Sequence, residues 1–387
     1  MNGLAYENTV TINIGNAISY PMTAKVYFAP YGAEKSSDAM TNKVTELFDK
    51  AGFADCFEKD DFTAVKVHFG EVGNTSFVSP IYVRKVVDSI KKSGGKPFIT
   101  DANTLYFGQR ANAIDHINTA LLHGFVPSVV DAPVIIADGL IGKDVMEVEV
   151  NLKHFKTVKL GAAAVHAKAM MSIAHFKGHI AAGFGGAIKN VGMGFGSRAG
   201  KQQMHSDINP KVNHEKCIGC GTCVNWCPQG AITVEGNKAS IDQESCYGCA
   251  ECFITCKPKA IEIRWDSSSE LLQEKMIEYT LGVVKNKVGK CGYFNFINNV
   301  TPHCDCAGWS DTPIVHDVGI VASNDPIAID QASADLVNKA ILNPGANIER
   351  EDGKDNIRLA NDIDWTLQLA YGEEVGLGTR KYELIEI

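Results

Sequence analysis

Cys217-Ile218-Gly219-Cys220-Gly221-Thr222-Cys223-Val224-Asn225-Trp226-Cys227-Pro228 and Cys246-Tyr247-Gly248-Cys249-Ala250-Glu251-Cys252-Phe253-Ile254-Thr255-Cys256-Lys257-Pro258 hold eight of the chain's twelve cysteines. Both copies read Cys-x2-Cys-x2-Cys-x3-Cys, the ligand spacing of a protein that holds two 4Fe-4S clusters. Three thiolates in one tight loop each reach one iron, and the fourth iron takes its ligand from the other copy. The spacing therefore assigns Cys217, Cys220, Cys223 and Cys256 to one cluster, and Cys246, Cys249, Cys252 and Cys227 to the other. A shift of 29 residues also lays Ala231-Ile232 onto Ala260-Ile261 and Val234 onto Ile263, so the repeat runs past the ligands into the strand after each loop. Structural zinc is the competing reading of Cys-x2-Cys pairs, but zinc sites use isolated pairs with longer spacers. Lys257 stands where the first copy has Pro228.

Working outward, the host sequence alternates short apolar strands with amphipathic helices. Strands are expected at Lys25 to Ala29, Phe62 to Phe69, Pro97 to Thr100, Val134 to Ala137, Ala169 to His175 and Tyr293 to Ile297. A helix begun by Ser36 or Ser37 and ended by Gly52 lies between the first two. Another carries Ser79 as cap, Pro80 at its first position and Val83, Val86, Val87 and Ile90 on one face. A third starts at Asp325-Pro326. This rhythm predicts an α/β fold with a mostly parallel sheet, interrupted by a ferredoxin-like α+β insert over 208–264. The α/β parts are then 22–207 and 265–387.

The chain has 387 residues, 45% of them hydrophobic, and a formal net charge of −8. An acidic chain without a basic stripe is a poor partner for nucleic acid. No apolar run reaches membrane-span length, and the first residues lack the pattern of a secretory signal. Thiolate ligands concentrated in one motif fit a reducing compartment, so a soluble cytoplasmic protein is expected. The insert balances six basic residues against six acidic ones. It reads as an internal electron wire more than as a freely diffusing carrier, which steers to partners with an acidic surface.

An internal wire needs a destination, and in open α/β sheets that lies beyond the carboxyl ends of the strands. Three constellations are candidates. Lys66 and His68 share one face of a strand, with solvent exposure on an edge strand as the alternative. His175 and Lys177 lead into a glycine-rich run in which Gly183, Gly185, Gly186, Lys189, Arg198 and Lys201 would cradle a phosphate or carboxylate, with close backbone packing as the alternative. Cys304 and Cys306, flanked by His303, Asp305 and Asp311, would bind a metal, form a redox pair or provide an activated thiolate, with buried structural thiols as the alternative.

The run from His175 through Lys201 resembles the signature of the domain-of-unknown-function 362 family of iron–sulfur centre proteins. Cys304-Asp305-Cys306, Asp311-Thr312-Pro313-Ile314-Val315 and Ser323-Asn324-Asp325-Pro326-Ile327-Ala328-Ile329-Asp330 resemble its C-terminal signature. The resemblance implies a bacterial or archaeal, mainly anaerobic setting and an α/β host with the two-cluster insert, and it leaves residues 1–21 as an extension. It supplies no substrate. Three functions are compatible. The leading one is an oxidoreductase passing low-potential electrons through two 4Fe-4S clusters to a small anionic substrate or further cofactor, with a ferredoxin or other low-potential protein as redox partner. The others are an electron-transfer protein without its own substrate, and a non-redox metal or cofactor assembly protein.

Overall fold

The computed structural model describes residues 9–10, 21–106, 108–205, 209–227, 229–246, 248, 250–262, 268–346 and 348–387. Pro228, Cys249, Ile263 and all of the expected N-terminal extension except residues 9, 10 and 21 lie outside the described residues.

Eight strands form the main sheet: β1 (Ala24–Pro30), β2 (Phe62–Val67), β3 (Lys96–Asp101), β4 (Val134–Ile136), β5 (Ala169–His175), β6 (Cys291–Ile297), β7 (Gly319–Ser323) and β8 (Tyr382–Glu386). Their spatial order is β8-β1-β7-β6-β5-β2-β3-β4. Every neighbouring pair is parallel except those made by β7, which runs against both β6 and β1. The fold is mixed α/β with a mostly parallel sheet, as expected. Every residue of β5 and of β6 is buried, the condition of central parallel strands covered on both faces.

Two helical layers supply that cover. On one face, α1 (Met40–Lys50) and α2 (Pro80–Lys92) bring Leu47, Phe48, Val83 and Ile90 against Val65, Val67, Ile173 and Phe294. On the other face, α3 (Ala187–Phe195), α4 (Ser269–Val284) and α5 (Pro326–Lys339) bring Ile188, Met276 and Ile329 against Ala64, Met170 and Tyr293. Successive strand residues thus serve opposite cores, the period-two consequence of the pleat.

The structure moves several expected boundaries. Ser36–Asp38 is a 3-10 turn, and α1 begins only at Met40. Strands β7 and β8 and helix α4 were not expected. Helix α4 buries Gln273, Lys275, Glu278 and Thr280 together with its apolar residues, so its sequence shows no apolar stripe. Strand β2 lies between β5 and β3, which removes the edge-strand alternative for Lys66 and His68.

Between Lys211 and Glu262 the chain forms a separate small unit. Lys211–Val212 pairs antiparallel with Ile261–Glu262, and Ile232–Glu235 pairs with Lys238–Ile241. Short helices Thr222–Asn225 and Glu251–Thr255 pack on each other. The apolar core of this unit contains Cys217, Cys223, Cys252, Cys256, Ile232 and Ile261, and it takes in one residue of the host, Leu105.

Candidate functional site

The carboxyl ends of β2, β3 and β5 open into a cavity of about 430 Å³. Among the described residues, five cationic side chains line it, Lys66, Arg110, Lys177, Lys189 and Lys201, against one carboxylate, that of Asp101. His68, His179 and His205 add imidazoles, Cys306 adds a sulfur, and Leu105, Met193 and Leu272 supply apolar wall.

Lys66 is fully buried, and its Nζ lies 3.0 Å from Asp101 Oδ1 and 3.0 Å from Asn190 Oδ1. Burial pushes its pKa down, opposed by Asp101. Burial acts the other way on Asp101, but Lys66 and nearby cations outweigh it and hold this carboxyl below the usual range. Arg110 reaches Asp101 and Glu71 at 3.4 Å each and also bonds the Tyr106 hydroxyl. Two buried carboxylates thus hold the guanidinium in place. Burial lowers the pKa of Lys201 to about 8 against the pull of Asp138 and Asp101, and burial beside Lys189 and Lys201 lowers that of His205 to about 3.

A second set of groups sits where the loop after β2 meets the loop after β6. Glu71 donates its backbone N–H to the Asp305 carbonyl at 2.9 Å, and Ser76 Oγ donates to Asp305 Oδ1 at 3.1 Å. The Asp305 carboxylate receives His175 Nδ1 at 2.9 Å and lies 3.4 Å from Lys177 Nζ. Burial opposes its ionisation, but His175 and Lys177 prevail and keep its pKa well below the carboxylate range. Its neighbours face the other way. Cys304 Sγ donates to Cys306 Sγ at 3.0 Å, His68 Nε2 is 3.4 Å from Cys306 Sγ, and Lys189 Nζ is 3.3 Å from Cys304 Sγ. The hydrogen bond from Cys304, helped by Lys189 and Arg110 against burial, drives the Cys306 thiol well below its ordinary value. Donating that hydrogen bond pushes Cys304 up to about 12.

The glycine-rich run is not a loop. It forms the hairpin of Lys177–His179 with Gly183–Gly185, then α3, then a helix over Arg198–His205. Lys189 and Lys201 line the cavity, but Gly183, Gly185 and Gly186 do not. A Cβ on Gly186 would strike Asp330, whose carboxylate accepts the Ala187 and Ile188 N–H groups at 2.7 and 2.9 Å and so caps α3 from a distant element. The Arg198 guanidinium is bound to the Ile141 and Ala111 carbonyls, and Arg198 is not among the lining residues. These glycines serve close packing, and the cations of the run divide between cavity and scaffold. The imidazole grouped with the thiols is that of His68, from the loop after β2, and not that of the expected His303. Asp311 lies outside the cavity lining, and Asp317 accepts the Asn299 N–H at 2.7 Å. Arg110 and Tyr106 were missed because they sit in an irregular loop that matches no motif.

Within the small unit, one pocket is lined by Cys217, Cys220, Cys223 and Cys256, and a second by Cys227, Cys246 and Cys252. Each pocket therefore takes its last cysteine from the other copy of the motif. Backbone N–H groups point at the sulfurs, from Ala239 to Cys217 at 3.4 Å, from Ala231 to Cys227 at 3.3 Å and from Ala260 to Cys256 at 3.2 Å. The last two are the repeat-related alanines. Such donors fit thiolates that ligate a metal centre. His68, Cys304 and Cys306 also bring ligand atoms within 4.8 Å of one another, close enough to hold a metal ion. The cysteine content and these groupings fit a metal-binding protein.

The family model described as "Domain of unknown function (DUF362)" matches residues 63–335. The chain belongs to the DUF362 family. The match spans β2 to α5 and so includes every cavity residue named above. No curated protein matches. Among solved structures, the DUF362 chain is similar to the lactate racemase apoprotein from Thermoanaerobacterium thermosaccharolyticum, at 13% identity and a TM-score of 0.36 over 72% of this chain and 52% of that one. It is also similar to a Thermotoga maritima protein, at 11% identity and a TM-score of 0.37 over 68% and 51% of the two chains. It thus spans about half the length of each. No helix among the described residues is long and apolar enough to cross a membrane.

Proposed function

We propose that this protein is an iron–sulfur oxidoreductase in which the 208–264 insert, a two-cluster ferredoxin-like module, passes low-potential electrons to a small anion held in the cationic cavity. One observation carries the reading. Leu105 belongs both to the apolar core around the cysteines and to the cavity wall, so one host side chain touches the cysteine-rich core on one side and the cavity on the other. A second contact supports it. Gly248, in the second cysteine loop, abuts Gln202 on the helix whose Lys201 and His205 line the cavity.

Bound clusters would supply one-electron storage and transfer. The chain's own residues do the rest. Lys177, Lys189 and Lys201 attract and orient an anion, Leu105 and Leu272 exclude water from one side, and the Lys66–Asp101–Arg110 network keeps the floor rigid. A ferredoxin or other low-potential protein delivers electrons at the insert surface, where Ile218 and Cys220 are exposed. The test is anaerobic reduction of the reconstituted protein by a low-potential donor, followed by reoxidation with small anionic metabolites. Rapid reoxidation by one class of anion upholds the reading. Oxidation only by another protein reduces the chain to an electron carrier.

A further inference from the structure

From the geometry of the loops after β2 and β6, we propose that Cys304 and Cys306 form a dithiol that cycles to an intramolecular disulfide, with Cys306 as the sulfur exposed to the bound anion. This deepens the function proposed above and rests on it for the source of electrons.

The donor pattern around Cys306 separates a dithiol from a metal site. His68 Nδ1 accepts the backbone N–H of Gly70 at 3.1 Å. The ring proton of a neutral imidazole then sits on Nε2, which faces Cys306 Sγ at 3.4 Å as a donor. A metal ion at Nε2 would need the proton on Nδ1, where it would oppose the Gly70 N–H. Cys306 thus receives hydrogen bonds from His68 and from the Cys304 thiol, the arrangement of a stabilised thiolate beside its proton-bearing partner. The cationic Lys189 amine 3.3 Å from Cys304 favours sulfur anions and disfavours an added metal cation. Position divides the work. Cys306 lines the cavity and Cys304 does not, so Cys306 meets the anion and Cys304 stands behind it as the resolving thiol.

In the oxidative direction the Cys304 S–H bond breaks, a Cys304–Cys306 S–S bond forms, one proton leaves and two electrons pass to a small anionic two-electron acceptor. In the reductive direction two electrons arriving singly through the insert break the S–S bond. Cys304 takes one proton, and Cys306 returns as the thiolate under His68. A disulfide between cysteines one residue apart is strained and half-buried, which places it among the readily reduced ones.

The test equilibrates the full-length protein, purified anaerobically, in thiol–disulfide buffers of graded potential, with acid quench, alkylation and mass spectrometry of the peptide containing residues 304–306. The expected result is one reversible two-electron transition from two labels to none. At a fixed buffer ratio, His68→Ala should lower the dithiol-to-disulfide ratio roughly tenfold, because the lost donor stabilises the reduced form. Two labels at every potential overturn the proposal, as does one equivalent of metal whose removal by chelator is needed before these thiols label. The wild-type titration needs no variant, so a misfolded His68→Ala protein does not shield the proposal. A second arm separates it from the reading it rests on. If thiol buffer reduces the pair but a low-potential donor acting through the insert does not, the dithiol stands and the electron route falls.

Discussion

Two regions of this protein gather cysteines, and they treat sulfur in opposite ways. In the insert, Cys217, Cys227 and Cys256 receive neutral backbone N–H groups from Ala239, Ala231 and Ala260. At the mouth of the main sheet, Cys304 and Cys306 meet charged or polar side chains, Lys189 and His68, brought in from other elements. Backbone donors moderate a thiolate without competing for its place on a metal. Cationic side chains stabilise a free sulfur anion and repel a metal ion. On the function proposed above, the surroundings of the sulfur, more than its presence, distinguish a ligand from a reagent.

The largest expected effect breaks the comparison on the insert side. Cys227→Ser and Cys256→Ser should each cut the iron content of the reconstituted protein from about eight to about four per chain. EPR should show the loss in the cluster held by the opposite loop. Perturbation of the variant's own loop instead would refute the crossed arrangement.

On the cavity side, Lys66→Met leaves Asp101 charged and buried without its nearest cation. Chemical denaturation should show a loss of about 3–5 kcal/mol, largely recovered when Asp101→Asn is added. An unrecovered double variant would mean that the network is not an ion-pair unit.

Smaller effects sharpen the division within the glycine-rich run. Lys189→Ala should weaken binding of inorganic phosphate about tenfold by calorimetry, with iron content unchanged. Arg198→Ala should leave phosphate affinity nearly intact and lower Tm, because its guanidinium holds the Ile141 and Ala111 carbonyls. The reverse pattern would place Arg198 in the binding site after all.

The smallest effect is a pH dependence. Burial, the largest of several influences, lowers the pKa of Lys201 to about 8, so phosphate affinity should fall as pH rises through that value and the cation is lost. Stability of the unliganded chain moves the opposite way. Between about 8 and 10.5 the unfolded lysine holds a proton that the folded one has released, so raising the pH favours the folded state. Affinity that stays flat across this range would remove Lys201 from the anion site.

What the sequence disclosed follows from range. Cysteine spacing is legible because ligand loops are local, and β5 is legible because a wholly buried parallel strand is a short, predominantly apolar run. The partners of Cys306 were not legible. His68 lies 238 positions away, and only the adjacency of the loops after β2 and β6 joins them. Local pattern pointed to His303 instead. The glycines misled for a related reason. Gly183 and Gly186 look like an anion cradle in one dimension, but in three they clear space for Trp365 and for Asp330. Helix α4 was invisible because charged residues buried by tertiary partners erase an apolar stripe.

The order of the strands has a consequence for how the chain is made. Among the described residues, strand β1 pairs only with β7 and β8, so the first strand of the main sheet to leave the ribosome waits for the last two. Strands β2 to β5 can join at once, and the whole 208–264 unit emerges before β6 begins. During synthesis the cysteine module is complete while the main sheet is still missing its middle. Metal loading can therefore precede closure of the host, and of the cavity lining only Leu272 and Cys306 are added after that module has emerged.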